Sequence, residues 1–456
     1  MSSHGPTGHH TGKTWKVGTL VYSTTGLVIL FGWLLVGDFS WQARERAVTP
    51  VAQVMLKQFA VSDMMIGFLV GSMPSALGMF LSPVVGYRSD RLRSRWGRRI
   101  PFLLVTTPIA AGAMMALGFV PMGARWLDTS LGESSPGLNA CFLGLFGLFW
   151  ILFEVAAVVG NAIFGALIND VVPTAVIGRF FGLFRAVSLI VGVLFSYFVL
   201  GKAEEGYLYI FLTMGLIYGV GFGLMCLKVK EGDYPPPAEC GAPKRSFVAA
   251  AKIYFRECFT HPYYLWLFGA WGLANLAFNP FYTFSLFYAR SVGMSLDQFG
   301  KCGAISLLCS LIISYPIGSL ADRIHPLRVA LISLVLYVVL AGWAALFVRT
   351  PDSFAFALIA HGVLAGVFLT GTASLGQRLF PHATFAQFAS AATLINGLLL
   401  MIMPPLMGAW IDISGHAYHL TFAAGCGIAM LAVACLLVVF RYYHRLGGDK
   451  AYAPPE

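Results

Sequence analysis

The sequence predicts an all-α membrane protein of about twelve transmembrane helices in two bundles of six, since one bilayer span takes about 20 mostly apolar residues. Three observations lead there. Hydrophobic residues make up 58% of the 456 residues and charged residues 11%, where soluble domains average about 25% charged. Long apolar runs alternate with short polar breaks. Six arginines crowd one such break, Gly86-Tyr-Arg-Ser-Asp90-Arg91-Leu-Arg-Ser-Arg-Trp-Gly97-Arg98-Arg99-Ile-Pro101. Lysine and arginine gather in this way in loops retained on the cytoplasmic side during insertion.

The first six runs are 28–57, 64–87, 100–120, 140–168, 178–200 and 208–227. The second six are 264–288, 302–320, 329–348, 354–377, 385–411 and 420–442. The first run has two readings, because its apolar residues begin at Val17 and its charges at Asp38. Either the helix continues through the charges, or it stops near Val36 and exposes 38–46 as a loop. The distance to Met64 favours the continuous helix. Between the sets, 228–262 carries Lys228, Lys230, Pro235-Pro-Pro237, Lys244, Arg245, Lys252 and Arg256. A basic, proline-bearing stretch of this kind reads as a cytoplasmic linker. The expected division is an amino-terminal bundle with its tail (1–227), the linker (228–262) and a carboxy-terminal bundle with its tail (263–456).

The net charge of +10 is concentrated between spans, which points to topology and to contact with anionic lipids rather than to nucleic acid. Breaks assigned to the outside hold single cations at Arg125, Lys202 and Arg349, together with Glu133 and Glu204-Glu205. Both termini are therefore expected in the cytoplasm and the chain in the cytoplasmic membrane. The eight cysteines lie mostly inside apolar runs without a C-x-x-C pair, so neither a disulfide framework nor a zinc site is expected. His4, His9 and His10 read as part of a solvated tail. No nucleophile–His–acid set, phosphate loop or metal cluster suggests an enzyme, and no cofactor or metal is expected. The protein is expected to act as a monomer.

A weak internal repeat links the halves. Pro83-Val-Val-Gly86-Tyr-Arg-Ser-Asp90-Arg91 ends the second span, and Pro316-Ile-Gly318-Ser-Leu-Ala-Asp322-Arg323 ends the eighth. Parallel repeats of this kind mark transporters whose substrate sits between two rocking halves. Gly86 should let helices approach closely. Asp90, Arg91, Arg98 and Arg99, with Asp322 and Arg323, are the candidate gate residues, forming charged latches that break as the halves move.

The arginine-rich pattern resembles the loop between the second and third helices of the major facilitator superfamily. Trp41-Gln-Ala-Arg-Glu-Arg-Ala-Val-Thr49-Pro50-Val-Ala-Gln53 is similar to the W-x7-T-P-x-x-Q spacing of the sucrose–proton symporters and their animal relatives. Gly37-Asp38-Phe39 and Phe184-Arg185-Ala resemble segments of the glycoside–pentoside–hexuronide cation symporters. The likeness covers the chain to about residue 200, and thereafter rests on layout and on Asp322-Arg323. It implies a two-bundle transporter carrying a sugar or glycoside with a coupling ion. Two departures matter. The acidic pair that binds sodium in melibiose-type members would fall near Gly78 and Ser82, and a further family aspartate aligns with Asn161. A sodium site needs clustered oxygens, so protons become the better coupling ion.

At about 100° per residue, Asp38, Gln42, Glu45, Thr49 and Gln53 form one polar stripe, with Arg46 beside it and Arg44 pointing elsewhere. Glu154 and Asn161 share a face of the fourth helix. Arg185, Ser188, Gly192 and Ser196 share one of the fifth, and Asn275, Asn279, Tyr282 and Thr283 one of the seventh. Intramembrane charges are costly and usually face a cavity or a partner. Asp38, Trp41, Gln42, Glu45, Asn161, Arg185, Asn275 and Asn279 are therefore the candidate substrate residues, with Trp41 stacking on a sugar face. His361, Gln377 and Asn396 serve equally well as ligands or as helix–helix bonds. A carboxylate in low dielectric resists ionisation and a neighbouring arginine favours it. Glu154 is the first candidate proton carrier, followed by Asp38 and Glu45. The leading reading is proton-coupled symport of a sugar or glycoside. A facilitator or exporter of a non-sugar small molecule, and a non-transporting assembly factor on the same fold, stay open.

Overall fold

The structure, a computed structural model, describes residues 14–234, 254–381 and 384–455. The expectations for His4, His9, His10, Pro235 to Pro237, Lys244, Arg245 and Lys252 lie outside the described residues. Among the described residues, eleven helices are long and apolar enough to cross a bilayer. The six of the first half are α1 (Thr24–Gln58), α2 (Asp63–Arg91), α3 (Ile100–Leu131), α4 (Leu138–Val171), α5 (Thr174–Phe198) and α6 (Leu200–Lys228). The second half holds α7 (Pro262–Ser291), α8 (Leu296–Ile324), α9 (Pro326–Phe347), α10 (Pro351–Gly371), α11 (Phe385–Ile413) and α12 (Leu420–Arg445). Helix α7 spans 30 residues and falls outside the eleven. Its tyrosines, tryptophans and asparagines lower its mean hydropathy without shortening it.

Helix α1 runs unbroken for 35 residues through Asp38–Arg46, so the loop reading of that stretch is excluded. Ser23 starts it by accepting from the Gly26 N–H at 3.1 Å, satisfying one of the donors a helix start leaves unpaired. Before it, β1 (Trp15–Val17) and β2 (Leu20–Tyr22) form an antiparallel hairpin with Trp15 opposite Tyr22. Gly18 takes the positive φ that its tight turn requires.

Helices α1–α6 pack on one another, as do α7–α12, through pairs such as α3–α4 and α7–α12. Buried aromatics fill both sets: Phe142, Phe146 and Trp150 in the first, Phe281, Phe284 and Tyr337 in the second. Trp150 adds a 2.8 Å bond from its indole N–H to the Leu69 carbonyl, tying α4 to α2. The sets meet mainly through α2 with α11 and α5 with α8, joined by the start of α6 against α8. Small residues allow the approach. Gly67 and Gly71 of α2 abut Pro404 of α11, and Gly300 of α8 abuts the Ser196 carbonyl of α5, with no room for a Cβ at any of the three. Residues Gly67–Ser72 form a π-helical turn, so α2 is wound wider where Pro404 lies against it. Large apolar side chains such as Val105, Trp126, Leu148 and Leu346 remain exposed, as lipid-facing positions do.

Candidate functional site

A cavity of about 880 Å³ lies between the two sets of helices, lined by α1, α2, α4 and α5 on one side and by α7, α8, α10 and α11 on the other. The polar stripe of α1 faces it: Gln42, Glu45, Arg46, Thr49 and Gln53 all line the wall. Glu154 and Asn161 line it from α4, and Gly78 and Ser82 from α2. The other wall contributes Asn279, Tyr282, Thr283, Ser285, Ser306 and His361. Among the described residues, every charged residue on the cavity wall comes from the first set.

Arg44 corrects the helical-wheel expectation, because it lines the cavity and is buried. Its guanidinium reaches back over the Trp41 ring at 4.1 Å, bonds Glu45 at 2.8 Å, and lies within Coulomb reach of Glu154. The long side chain overrides the direction of its Cα–Cβ bond. Trp41 also differs from its expected role. It touches the cavity, but its ring packs among Phe164, Tyr218 and Phe222 beneath the arginine.

Three expected substrate residues stand off the wall. Asn275 donates its amide to the Trp271 carbonyl one turn back at 2.9 Å. Arg185 is exposed one turn below Ser188, near Arg46. Asp38 is 1% exposed and connects to the cavity through other side chains. Arg46 donates to Ser188 at 3.1 Å, Ser188 to Gln42 at 2.9 Å, and Gln42 to Asp38 at 3.1 Å. These bonds all run one way, from the cavity arginine to the buried carboxylate. The second carboxylate oxygen of Asp38 has no partner among the described residues. Neither have Nε of Arg44 and Arg46, Oδ1 of Asn279, or Nδ1 of His361, all buried along the cavity.

The arginine-loop end holds the predicted latch residues, and they pair within their own halves. Arg99 bonds Asp90 at 2.5 Å and also Ser89. Arg98 and Arg99 both bond Asp170, at 2.6 and 3.0 Å. The hydrogen bonds to Asp170 are the main reason the Arg98 guanidinium is raised above its ordinary value. Arg91 lies over the Tyr87 ring. Asp322 pairs with Arg378 at 2.7 Å rather than with Arg323. Gly86 has open space around it, so in this conformation no helix packs closely against it. Glu231, at the start of the linker, accepts from the main-chain N–H groups of Arg98, Arg99 and Ile100 at 2.7–2.9 Å. It thereby caps α3 and fixes the backbone that presents both arginines.

The opposite end is where the halves are bonded to each other among the described residues. Gln53 donates to the Thr283 carbonyl at 3.0 Å, and Glu204 pairs with Arg290. Asp412 of α11 accepts from the N–H groups of Asp63 and Met64 at 2.9 Å each. His416 and Tyr418 reach Asp63 at 2.7 and 2.9 Å. Asp63, Asp412 and His416 are close enough together to hold a metal ion, but both carboxylates are already taken up by protein donors. The sequence reading missed this cluster. A signal was present: Pro405-x-x-Gly408-x-x-x-Asp412 repeats the spacing of Pro83-x-x-Gly86-x-x-x-Asp90.

A family model described as "MFS/sugar transport protein" matches residues 55–398. The chain belongs to the MFS/sugar transport protein family. It is 32% identical over 133 residues to a sucrose transport protein of Oryza sativa subsp. japonica, covering 28% of this chain and 23% of that one. Against proton-associated sugar transporter A of Mus musculus it is 39% identical over 107 residues, 24% of this chain and 12% of the relative. The chain thus matches less than a quarter of the length of each of these relatives. Among solved structures, a bacterial homolog of the human lysosomal transporter Spinster, inward-facing and unoccupied, superposes with a TM-score of 0.68. That match has 16% identity and covers 95% of this chain and 100% of the other. A nucleoside transporter superposes at 0.65 with 13% identity, covering 91% and 99%. These two likenesses show the fold. The protein has the major facilitator fold, belongs to the sugar-transport family and is integral to a membrane.

Proposed function

We propose that this transporter carries a sugar or glycoside together with protons by alternating access, in the cytoplasmic membrane with both termini inside. The moving units are 1–227 and 263–456, joined by the linker 228–262. One observation carries the substrate reading. Residues on both walls carry buried polar atoms without partners among the described residues: the donors Nε of Arg44 and Arg46 on one, the acceptor Oδ1 of Asn279 and the Nδ1 of His361 on the other. A hydroxyl both donates and accepts, so a polyhydroxylated molecule serves the two walls at once. The cavity volume of about 880 Å³ falls within the ordinary small-molecule range of roughly 300–1,000 Å³.

Proton coupling rests on the acids. Glu154 is buried at the cavity wall beside Arg44 and Glu45. Asp38 is reached from the same cavity through Gln42 and Ser188. The positions matching the sodium-binding acids of melibiose-type relatives, Gly78 and Ser82, lie on the wall and offer no carboxylate. Glu154 is the proton carrier in this reading. Glu45 and Arg44 set its local field, and Asp38 is a second acid that senses occupancy through Gln42.

The test is uptake by proteoliposomes across a panel of labelled mono- and disaccharides, with an imposed pH gradient or an imposed sodium gradient. Accumulation of at least one sugar is expected with the first and not with the second. No sugar uptake under any gradient, with transport of an apolar solute instead, would favour the non-sugar carrier.

A further inference from the structure

We propose that Asp412 is the keystone of a gate that closes the cavity at the α1–α2 end, by capping the amino terminus of α2 from the opposite half. This rests on alternating access alone and needs neither the sugar nor the proton reading. The first turn of a helix presents N–H groups without intrahelical partners and a partial positive charge. Helix α2 begins at Asp63, and both oxygens of Asp412 are spent on its first two such groups. The contact is therefore charge-assisted and joins α11 to a helix 349 residues away in sequence.

Three features show that the chain is built around this contact. Gly408, one turn earlier on α11, lies against the Asp63 and Met64 main chain with no room for a Cβ. Asp63 is fully buried, and its carboxylate is held by Lys57 at 2.7 Å from its own half and by His416 and Tyr418 from the other. Its carboxylate is thus not free to compete with Asp412 for the N–H groups of the α2 terminus. Pro404 fits against Gly67 and Gly71 at the widened turn of α2. The glycine–aspartate spacing that ends α2 at Asp90 thus recurs at the far end of α11. There it acts between halves, whereas Asp90 in this conformation acts within one. Opening the cavity at this end requires that Asp412 leave the α2 terminus and that Gly408 withdraw from it.

The experiment measures the gate directly. Spin labels at Glu133→Cys and Arg349→Cys, exposed positions on opposite halves at this end, report the separation of the halves by double electron–electron resonance. The protein is purified, in a cysteine-free background and without substrate. Asp412→Ala and Gly408→Val should each shift the population toward a longer distance, by roughly tenfold in the open-to-closed ratio, as loss of charge-assisted bonds implies. The two together should shift it little further, since they break one contact. Asp412→Asn keeps the volume and one acceptor, so it should fall between wild type and Asp412→Ala and guards against a misfolded alanine variant. Monodisperse Asp412 variants with the wild-type distance distribution would overturn the proposal, whatever Gly408→Val does.

Discussion

The two walls of the cavity differ in chemistry. The wall from α1, α2, α4 and α5 holds Arg44, Glu45, Arg46 and Glu154, and leads through Ser188 and Gln42 to Asp38. The wall from α7, α8, α10 and α11 holds the Asn279 amide, hydroxyls and one histidine set among rings, with Phe278, Phe281 and Tyr337 around His361. A wall of charges can change protonation. A neutral wall backed by packed aromatics is stiff and can fix a shape. In the proposed mechanism, ion coupling therefore belongs to the first half and most of the shape recognition to the second.

The comparison breaks most sharply at Glu154. Glu154→Gln is nearly isosteric but cannot ionise, so accumulation driven by a pH gradient should fall to the equilibrium level. Exchange of internal for external sugar should stay within about twofold of wild type, since it needs no net proton movement. If the variant still concentrates sugar, Asp38 or Glu45 is the carrier. On the other wall, Asn279→Ala should raise KM roughly five- to tenfold, the loss of about one neutral hydrogen bond, with accumulation still following the pH gradient. A variant that lost coupling instead would erase the division between the walls.

The latches should show a graded difference. Asp90, 56% exposed, meets Arg99 directly and has Arg98 at 3.8 Å, whereas Asp322, 71% exposed, pairs with Arg378 alone among the described residues. Asp90→Asn should slow exchange several-fold. Asp322→Asn should change it by less than about twofold, because an exposed ion pair contributes little. Equal slowing in stopped-flow exchange would mean the two repeats carry equal load. The smallest effect is expected at Arg185. Arg185→Gln should leave affinity by calorimetry within about twofold, since the residue stands off the wall and the charge it feels is that of another cation, Arg46.

Much of this was legible in the chain. Span lengths follow from apolar runs, and the polar stripe of α1 follows from helical periodicity, because both are local properties. What was not legible is long-range or depends on side-chain reach. Arg44 is directed off the stripe by its position in the helix, yet a long side chain curls over Trp41 and enters the cavity. Asn275 shares a face with Asn279, but its amide is taken by its own helix. The Asp412–α2 contact joins segments far apart in sequence, and no local pattern states that a carboxylate will meet a particular helix terminus. The repeated proline–glycine–aspartate spacing marks a candidate residue there, not its partner. The linker cap by Glu231 was hidden for the same reason.

The central claim is that sugar and proton cross together. Proteoliposomes loaded with a pH-sensitive dye in weak buffer, given a transported sugar outside and no other gradient, test it directly. Wild type should acidify the lumen in step with sugar entry, and Glu154→Gln should admit sugar without acidification. Sugar entry into wild-type vesicles with no change in luminal pH would contradict the account.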